Sequence, residues 1–200
     1  MNIAERIHAA YIGERRVSVL ANHLENFLPH QGSILDVGCG DGGLAWELHQ
    51  RNPRLDIQGI DVLARPNARV PTEIFDGERI PLDDESVDHI LLVDVLHHSE
   101  EPAKILGEAA RVAKRGITIK DHLLEGWLAG PTLRMMDRVG NARHGVDMPF
   151  VYWREERWQE AWRALGLVVH RFETKLKLYP PPLTWVFDRR LHFIAHLGKA

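Results

Sequence analysis

A single cysteine, Cys39, stands in 200 residues, which leaves no intramolecular disulfide and excludes a small scaffold stapled by cross-links. Long apolar runs are missing too. The longest, Ile90 to Val93, is the size of a strand and far short of a membrane span. Met1 to Arg16 carries Glu5, Arg6, Glu14, Arg15 and Arg16 and lacks the apolar stretch of an export signal, so a soluble, cytoplasmic chain with no membrane partner is expected. An excess of positive charge is also absent. Lys plus Arg number 25 against 28 Asp plus Glu, a net charge of −3, which argues against a partner held by phosphate neutralisation; no nucleic-acid partner is expected. What is present is ordinary globular material: 44% hydrophobic and 26% charged residues, enough for the packed core of one domain.

The hydrophobic pattern alternates between two periods. Ile3, Ile7, Ala10, Val17, Leu20, Leu24 and Leu28 recur at helical spacing, with Gly13 as a soft point and Pro29 and Gly32 as the stop. Strands are predicted at Ser33 to Val37, Leu55 to Ile60, Thr72 to Phe75, Val87 to Leu96 and Gly116 to Lys120, with helices over Gly43 to Gln50 and Pro102 to Ala113. That rhythm predicts a parallel sheet with right-handed crossovers. Beyond Asp121 it changes. His122 to Val139 reads as a helix interrupted at Gly130-Pro131, Trp153 to Leu165 as a helix, and Leu167 to Lys175 and Leu191 to Leu197 as late strands joined across Pro180-Pro181-Pro182. A single domain over 1–200 follows. It comprises an N-terminal helical lid (1–30), a cofactor-binding core (31–120), an inserted acceptor-side segment (121–151) and a C-terminal helix with the last strands (152–200).

The sharpest local feature is Asp36-Val37-Gly38-Cys39-Gly40-Asp41-Gly42-Gly43 between a strand and a helix. Glycines there let backbone approach a ligand closely, and the helix N-terminus offers free N–H groups to an anion. Gly38, Gly40 and Gly43 also satisfy G-x-G-x-x-G, with Asp61 about where a ribose-binding acid belongs. The glycines alone therefore leave a dinucleotide and another adenosine-containing cofactor both open. Asp36 favours the second, since a carboxylate inside the strand suits a cofactor bearing an ammonium and would repel a pyrophosphate.

Asp36 to Gly42, Asp61, Phe75-Asp76-Gly77, Ile80-Pro81-Leu82 through Val87-Asp88, and Val93-Asp94-Val95-Leu96-His97-His98 together resemble the class I S-adenosylmethionine-dependent methyltransferases, in the broad group whose fourth strand ends in Val-Leu-His-His. The resemblance spans roughly Gln31 to Lys120. It implies a Rossmann-like α/β fold: a seven-stranded, mostly parallel sheet with the last strand antiparallel and helices on both faces. It implies S-adenosyl-L-methionine as cofactor, with Gly38, Cys39, Gly40 and the loop amides against the methionine portion, and Asp36 acting directly or through the loop backbone. Asp61, with Val62 beside it, would accept from the ribose hydroxyls. Asp76 and Gly77 would read the adenine edge, and Asp94, Val95 and His97 would border the transferred methyl.

Methyl transfer leaves the protein mostly alignment and water exclusion, plus a base for protonated acceptors. Among 12 histidines, His97 and His144 are the candidates for that base. Packing and turn hydrogen bonds compete with this role for His97, His98 and His122. His144 lies in a turn-rich stretch where loops above a sheet carry function. No metal is expected, because no compact set of Asp, Glu and His with ligand spacing shows in the sequence. Trp127, Met135, Met136, Phe150, Tyr152 and Trp153 could wall an acceptor pocket. Arg134 and Arg138 could hold an acidic acceptor or simply form a solvated face, and Tyr11, Arg15 and Arg16 could close the N-terminal helix as a lid. The reading is methyl transfer to a small-molecule acceptor, with an NAD(P)-dependent oxidoreductase or a non-catalytic adenosine-cofactor-binding protein as alternatives.

Overall fold

Strand β4 (Val87–Val93) has the buried pattern of a central parallel strand, and its alternation divides the molecule. Ile90 and Leu92 join one apolar cluster and Leu91 the other. The computed structural model describes residues 15–65, 67–141 and 149–199. In it β1 (Gly32–Val37), β2 (Leu55–Asp61), β3 (Thr72–Ile74), β5 (Ala113–His122), β6 (Leu167–Glu173) and β7 (His192–Lys199) complete a seven-stranded sheet of order β3-β2-β1-β4-β5-β7-β6. The pairings from β3 to β5 are parallel, and β7 runs antiparallel to both β5 and β6.

Helices cover both faces. On one, Leu20 and Leu24 of α1 (15–24) and Ala45 and Leu48 of α2 (Gly43–Arg51) pack on Ile34, Ile57 and Leu91. On the other, Ile105, Leu106 and Ala109 of α3 (Pro102–Val112) and the two tryptophans of α5 (Glu155–Ala164) meet Ile117, Ile119 and Phe193. Trp158 and Trp162 lie 5.1 and 5.9 Å from the Phe193 ring in edge-on contact. Two further helices, α4 (Ala129–Asn141) and the short α6 (Thr184–Phe187), lie in the connections beside the sheet.

The expected sheet class holds, with differences at the strand ends. The fourth strand stops at Val93, where Asp94 takes a left-handed φ of 56°, and Leu96–His98 forms one 3-10 turn. The fifth strand runs on to His122 because β7 pairs with it through that residue. Gly130-Pro131 does not interrupt a helix; it lies in the first turn of α4, where the proline's missing N–H has no intrahelical partner to lose. Gly13 and Tyr11, expected in the first helix, lie outside the described residues.

His89, 2% exposed, hydrogen-bonds Thr118 Oγ1 through Nε2 at 2.8 Å and stacks on His196 at 5.3 Å. Burial, and then the nearby His196, push its pKa down to about 3. The unfolded chain thus takes up a proton near pH 6.5 that the folded chain refuses, so stability falls as pH drops from there toward 3. The denaturation midpoint of the wild type should decline more steeply on acidification than that of His89→Gln; parallel declines would refute this.

Candidate functional site

Parallel strands bring their carboxyl ends to one edge, and the site is built there. The glycine loop leaves β1 with Gly38, Gly40 and Gly42 at φ of 73°, 60° and 70°, which side chains rarely adopt. Gly38 N–H donates to Ile60 O at 2.7 Å, pinning the loop to β2, and a Cβ on Gly38 would run into the Val95 side chain. Asp61 ends β2, 7% exposed, and accepts from Gly40 N–H at 2.8 Å and Leu63 N–H at 2.9 Å. Each of its oxygens keeps a lone pair for a ligand hydroxyl.

A cavity of about 620 Å³ opens over these ends, within the usual range for small-molecule sites. Gly38, Gly40, Asp61, Val62, Gly77, Asp94, Val95 and His97 all line it. Three other expected contacts do not. Asp36 sits 3% exposed behind the loop, where burial and the neighbouring Asp61 push its carboxyl up to about 7. From there it can act on a ligand only through the loop. Cys39 turns toward β3, with Sγ 3.6 Å from Thr72 Oγ1, and burial, aided by Asp36, raises its thiol to about 11. Asp76 is exposed and accepts Glu78 and Arg79 N–H through one oxygen, both at 2.8 Å, which makes it a turn residue. His144 lies outside the described residues.

The other end of the cavity holds a buried polar network. Asp121, 1% exposed, accepts Leu96 N–H at 3.1 Å, His97 Nδ1 at 2.6 Å and His122 N–H at 2.7 Å. His97 Nε2 makes no hydrogen bond and lies 3.5 Å from Asp137 Oδ2. Burial alone would lower the His97 pKa, but Asp121 and Asp137 outweigh it and lift it to about 10. In this arrangement His97 carries a fixed charge at neutral pH and is poorly suited to be a base. His122 Nε2 stands 3.3 Å from Asp137 Oδ1 and 3.8 Å from Asp94 Oδ1, and its Nδ1 is 3.1 Å from His192 Nδ1. Asp94 pairs with Arg16 from α1 at 2.6 Å and with the fully buried Lys120. Those cations, chiefly Lys120, hold its carboxyl well below the usual range against the cost of burial.

Sequence reasoning did not find Asp121, Asp137 or Lys120. The one available signal was the polar ending Lys120-Asp121-His122 on an otherwise apolar strand. Nor did it anticipate that Asp94, His97 and His122 converge, with ligand atoms within 4.8 Å of one another. Of the expected acceptor walls, Met136 lines the cavity, while Phe150 meets the His98 ring edge-on at 6.3 Å and Tyr152 stacks near His97 at 5.8 Å. Trp127 is 82% exposed and Trp153 packs on Trp158, so neither lines the cavity. Arg134 and Arg138 form an exposed face.

Comparison with known proteins agrees with this geometry. Residues 35–119 match the family described as a methyltransferase domain. An uncharacterized methyltransferase of Mycobacterium tuberculosis is 34% identical over 90 residues, 42% of this chain and 36% of that protein, so the match spans little more than a third of the curated relative. A S-adenosylmethionine-dependent methyltransferase from Aquifex aeolicus shares the fold at a TM-score of 0.62 and 22% identity, covering 90% of this chain and 88% of its own. Geranyl diphosphate C-methyltransferase from Streptomyces coelicolor, solved with S-adenosyl-L-homocysteine among its ligands, does so at 0.68 and 14%, covering 92% and 76%. No helix among the described residues is long and apolar enough to cross a membrane. The sheet departs from the dinucleotide-binding order 3-2-1-4-5-6, since an antiparallel β7 enters between β5 and β6. Residues 35–119 thus carry a match to a methyltransferase domain, and the seven-stranded sheet around them has the fold of methyltransferases of known structure.

Proposed function

We propose that the chain binds S-adenosylmethionine in the cavity above β1, β2 and β4 and transfers its methyl group to a small-molecule acceptor. The observation that carries this reading is the glycine loop and Asp61 lining one cavity side by side: a Cβ at Gly38 would collide with Val95 at the loop, and the Asp61 carboxylate, bonded to Gly40 N–H, keeps acceptor capacity. The chemistry such a cofactor supplies when bound is an electrophilic methyl on a sulfonium. The protein's own part is placement. Gly38 and Gly40 allow close backbone approach, Asp61 accepts from ribose hydroxyls, and Gly77, at φ 81°, lets the chain turn beside the adenine. Val95 and His97 would border the reacting end, with Met136 and Pro149 as walls that exclude water.

Calorimetry with S-adenosylhomocysteine, with NAD as the comparison ligand, tests this. Binding to the homocysteine compound is expected, and Asp61→Ala should weaken it by about 10–100-fold, the worth of one charge-assisted hydrogen bond of about 1.5–3 kcal/mol. Circular dichroism of the variant separates this from unfolding. Heat with NAD and none with S-adenosylhomocysteine would overturn the reading. Methyl transfer to any acceptor in a panel would dispose of a binding-only role.

A further inference from the structure

Four side chains at the sheet edge come from four separate segments: Asp94 after β4, His97 in the 3-10 turn, His122 at the end of β5 and Asp137 on α4. All four line the cavity. We propose that His97 Nε2, His122 Nε2 and the Asp137 carboxylate, with Asp94 Oδ1 at a fourth vertex, bind a divalent first-row transition-metal ion with the tetrahedral preference of zinc.

The spacing suits such an ion. Ligands about 2.0–2.1 Å from a tetrahedral centre lie about 3.3 Å from one another. Ligand atoms of Asp94, His97 and His122 lie within 4.8 Å of one another, and the two oxygens of Asp137 reach one imidazole each: Oδ1 lies 3.3 Å from His122 Nε2 and Oδ2 3.5 Å from His97 Nε2, while Asp94 Oδ1 lies 3.8 Å from His122 Nε2. These pair distances are too long for good hydrogen bonds and close to the edges of a coordination polyhedron. His97 supplies an independent sign: it is 1% exposed, and its Nε2 makes no hydrogen bond while pointing at Asp137; a bound ion would take the place of the Nε2 proton, which leaves to solvent.

Each of the three principal ligands is also braced from behind, as metal ligands commonly are. His97 Nδ1 donates to Asp121 at 2.6 Å, which turns Nε2 toward the centre. His122 Nδ1 faces His192 Nδ1 at 3.1 Å, and the Tyr152 hydroxyl donates to Asp137. Asp94 already serves Arg16 and Lys120, so its share in the site is the smallest. Two imidazoles with carboxylates suit zinc, iron(II) or cobalt(II) better than magnesium or calcium, which favour all-oxygen shells. The site stands whether or not the methyl donor is the one proposed above.

The test uses full-length protein without an affinity tag, stripped with chelator and dialysed against cobalt(II) and then zinc. One ion per chain is expected, with cobalt showing the intense visible bands of a low-coordinate site that zinc abolishes. Asp137→Asn and His122→Asn should each weaken binding by at least about tenfold. Tyr152→Phe, which removes only a hydroxyl, should weaken it up to about tenfold and guards against variants that fail to fold. Absence of a stoichiometric ion would overturn the site. So would full binding in both Asp137→Asn and His122→Asn, or loss of binding in His196→Ala, a residue on another surface. S-adenosylhomocysteine calorimetry on the same samples keeps failure of this site distinct from failure of the cofactor reading.

Discussion

Replacing Asp121 with alanine should destabilise the chelator-stripped protein by about 3–5 kcal/mol, the cost of leaving a buried charge without its partner. Burial decides this magnitude, since distance does not. Lys104 and Glu78 meet at 2.7 Å, almost the separation of His97 and Asp121, yet their side chains are 46% and 69% exposed against 1% and 1%. A solvated pair of that kind contributes about 0–1 kcal/mol. Asp121 also holds two backbone donors, from Leu96 and His122, and alanine would leave the amide of the 3-10 turn without an acceptor in the protein interior. Asp121→Asn keeps the shape and one acceptor oxygen, so it should cost less than the alanine. Urea denaturation of the three proteins measures this. A loss below about 1 kcal/mol for the alanine would show that water reaches the pair and that the network is not dry. Because Asp121 fixes the ring of His97, the same substitution should also weaken the metal binding proposed above.

The network around Asp121 marks where sequence reasoning stops. The first five strands and the loop after β1 were legible because each is local. An apolar run, a glycine cluster and an acid one strand later report themselves within about ten residues, and Gly38, Gly40, Asp61 and Gly77 accordingly reach the cavity. Asp36 and Asp76 belonged to the same motifs but not to the cavity surface. Motif spacing says which residues sit near the loop, whereas burial of Asp36 and the turn made by Asp76 depend on where each side chain points. The polar end of the cavity was not legible, because its members come from three stretches, Asp94 to His97, Lys120 to His122 and Asp137, that meet only when β5 extends to His122 and α4 crosses the strand ends. Apolar periodicity predicted that β4 would continue to Leu96. The left-handed turn at Asp94 overrides it and swings His97 beneath Asp137.

The second large effect is expected at Gly38. Alanine there faces two separate penalties: the left-handed φ of 73° costs a side chain about 1–2 kcal/mol, and the new methyl overlaps the Val95 side chain, a collision worth about 1–3 kcal/mol in a packed site. The strand below cannot yield, since Gly38 N–H is bonded to Ile60 O at 2.7 Å, so the strain is relieved by displacing the loop or Val95, both of which line the cavity. Affinity for S-adenosylhomocysteine should therefore fall by about 100-fold, equivalent to about 2.7 kcal/mol. Val95→Ala removes the obstacle while keeping the glycine and should change affinity by less than about tenfold, the scale of one or two lost methyl contacts. In the double variant the collision is gone and only the conformational cost remains. It should recover about half of the lost binding free energy, and a cycle of the four proteins by calorimetry isolates that coupling. Strictly additive losses would mean that the two side chains do not meet. Wild-type affinity in Gly38→Ala would mean that the loop is not where the cofactor lies against the backbone.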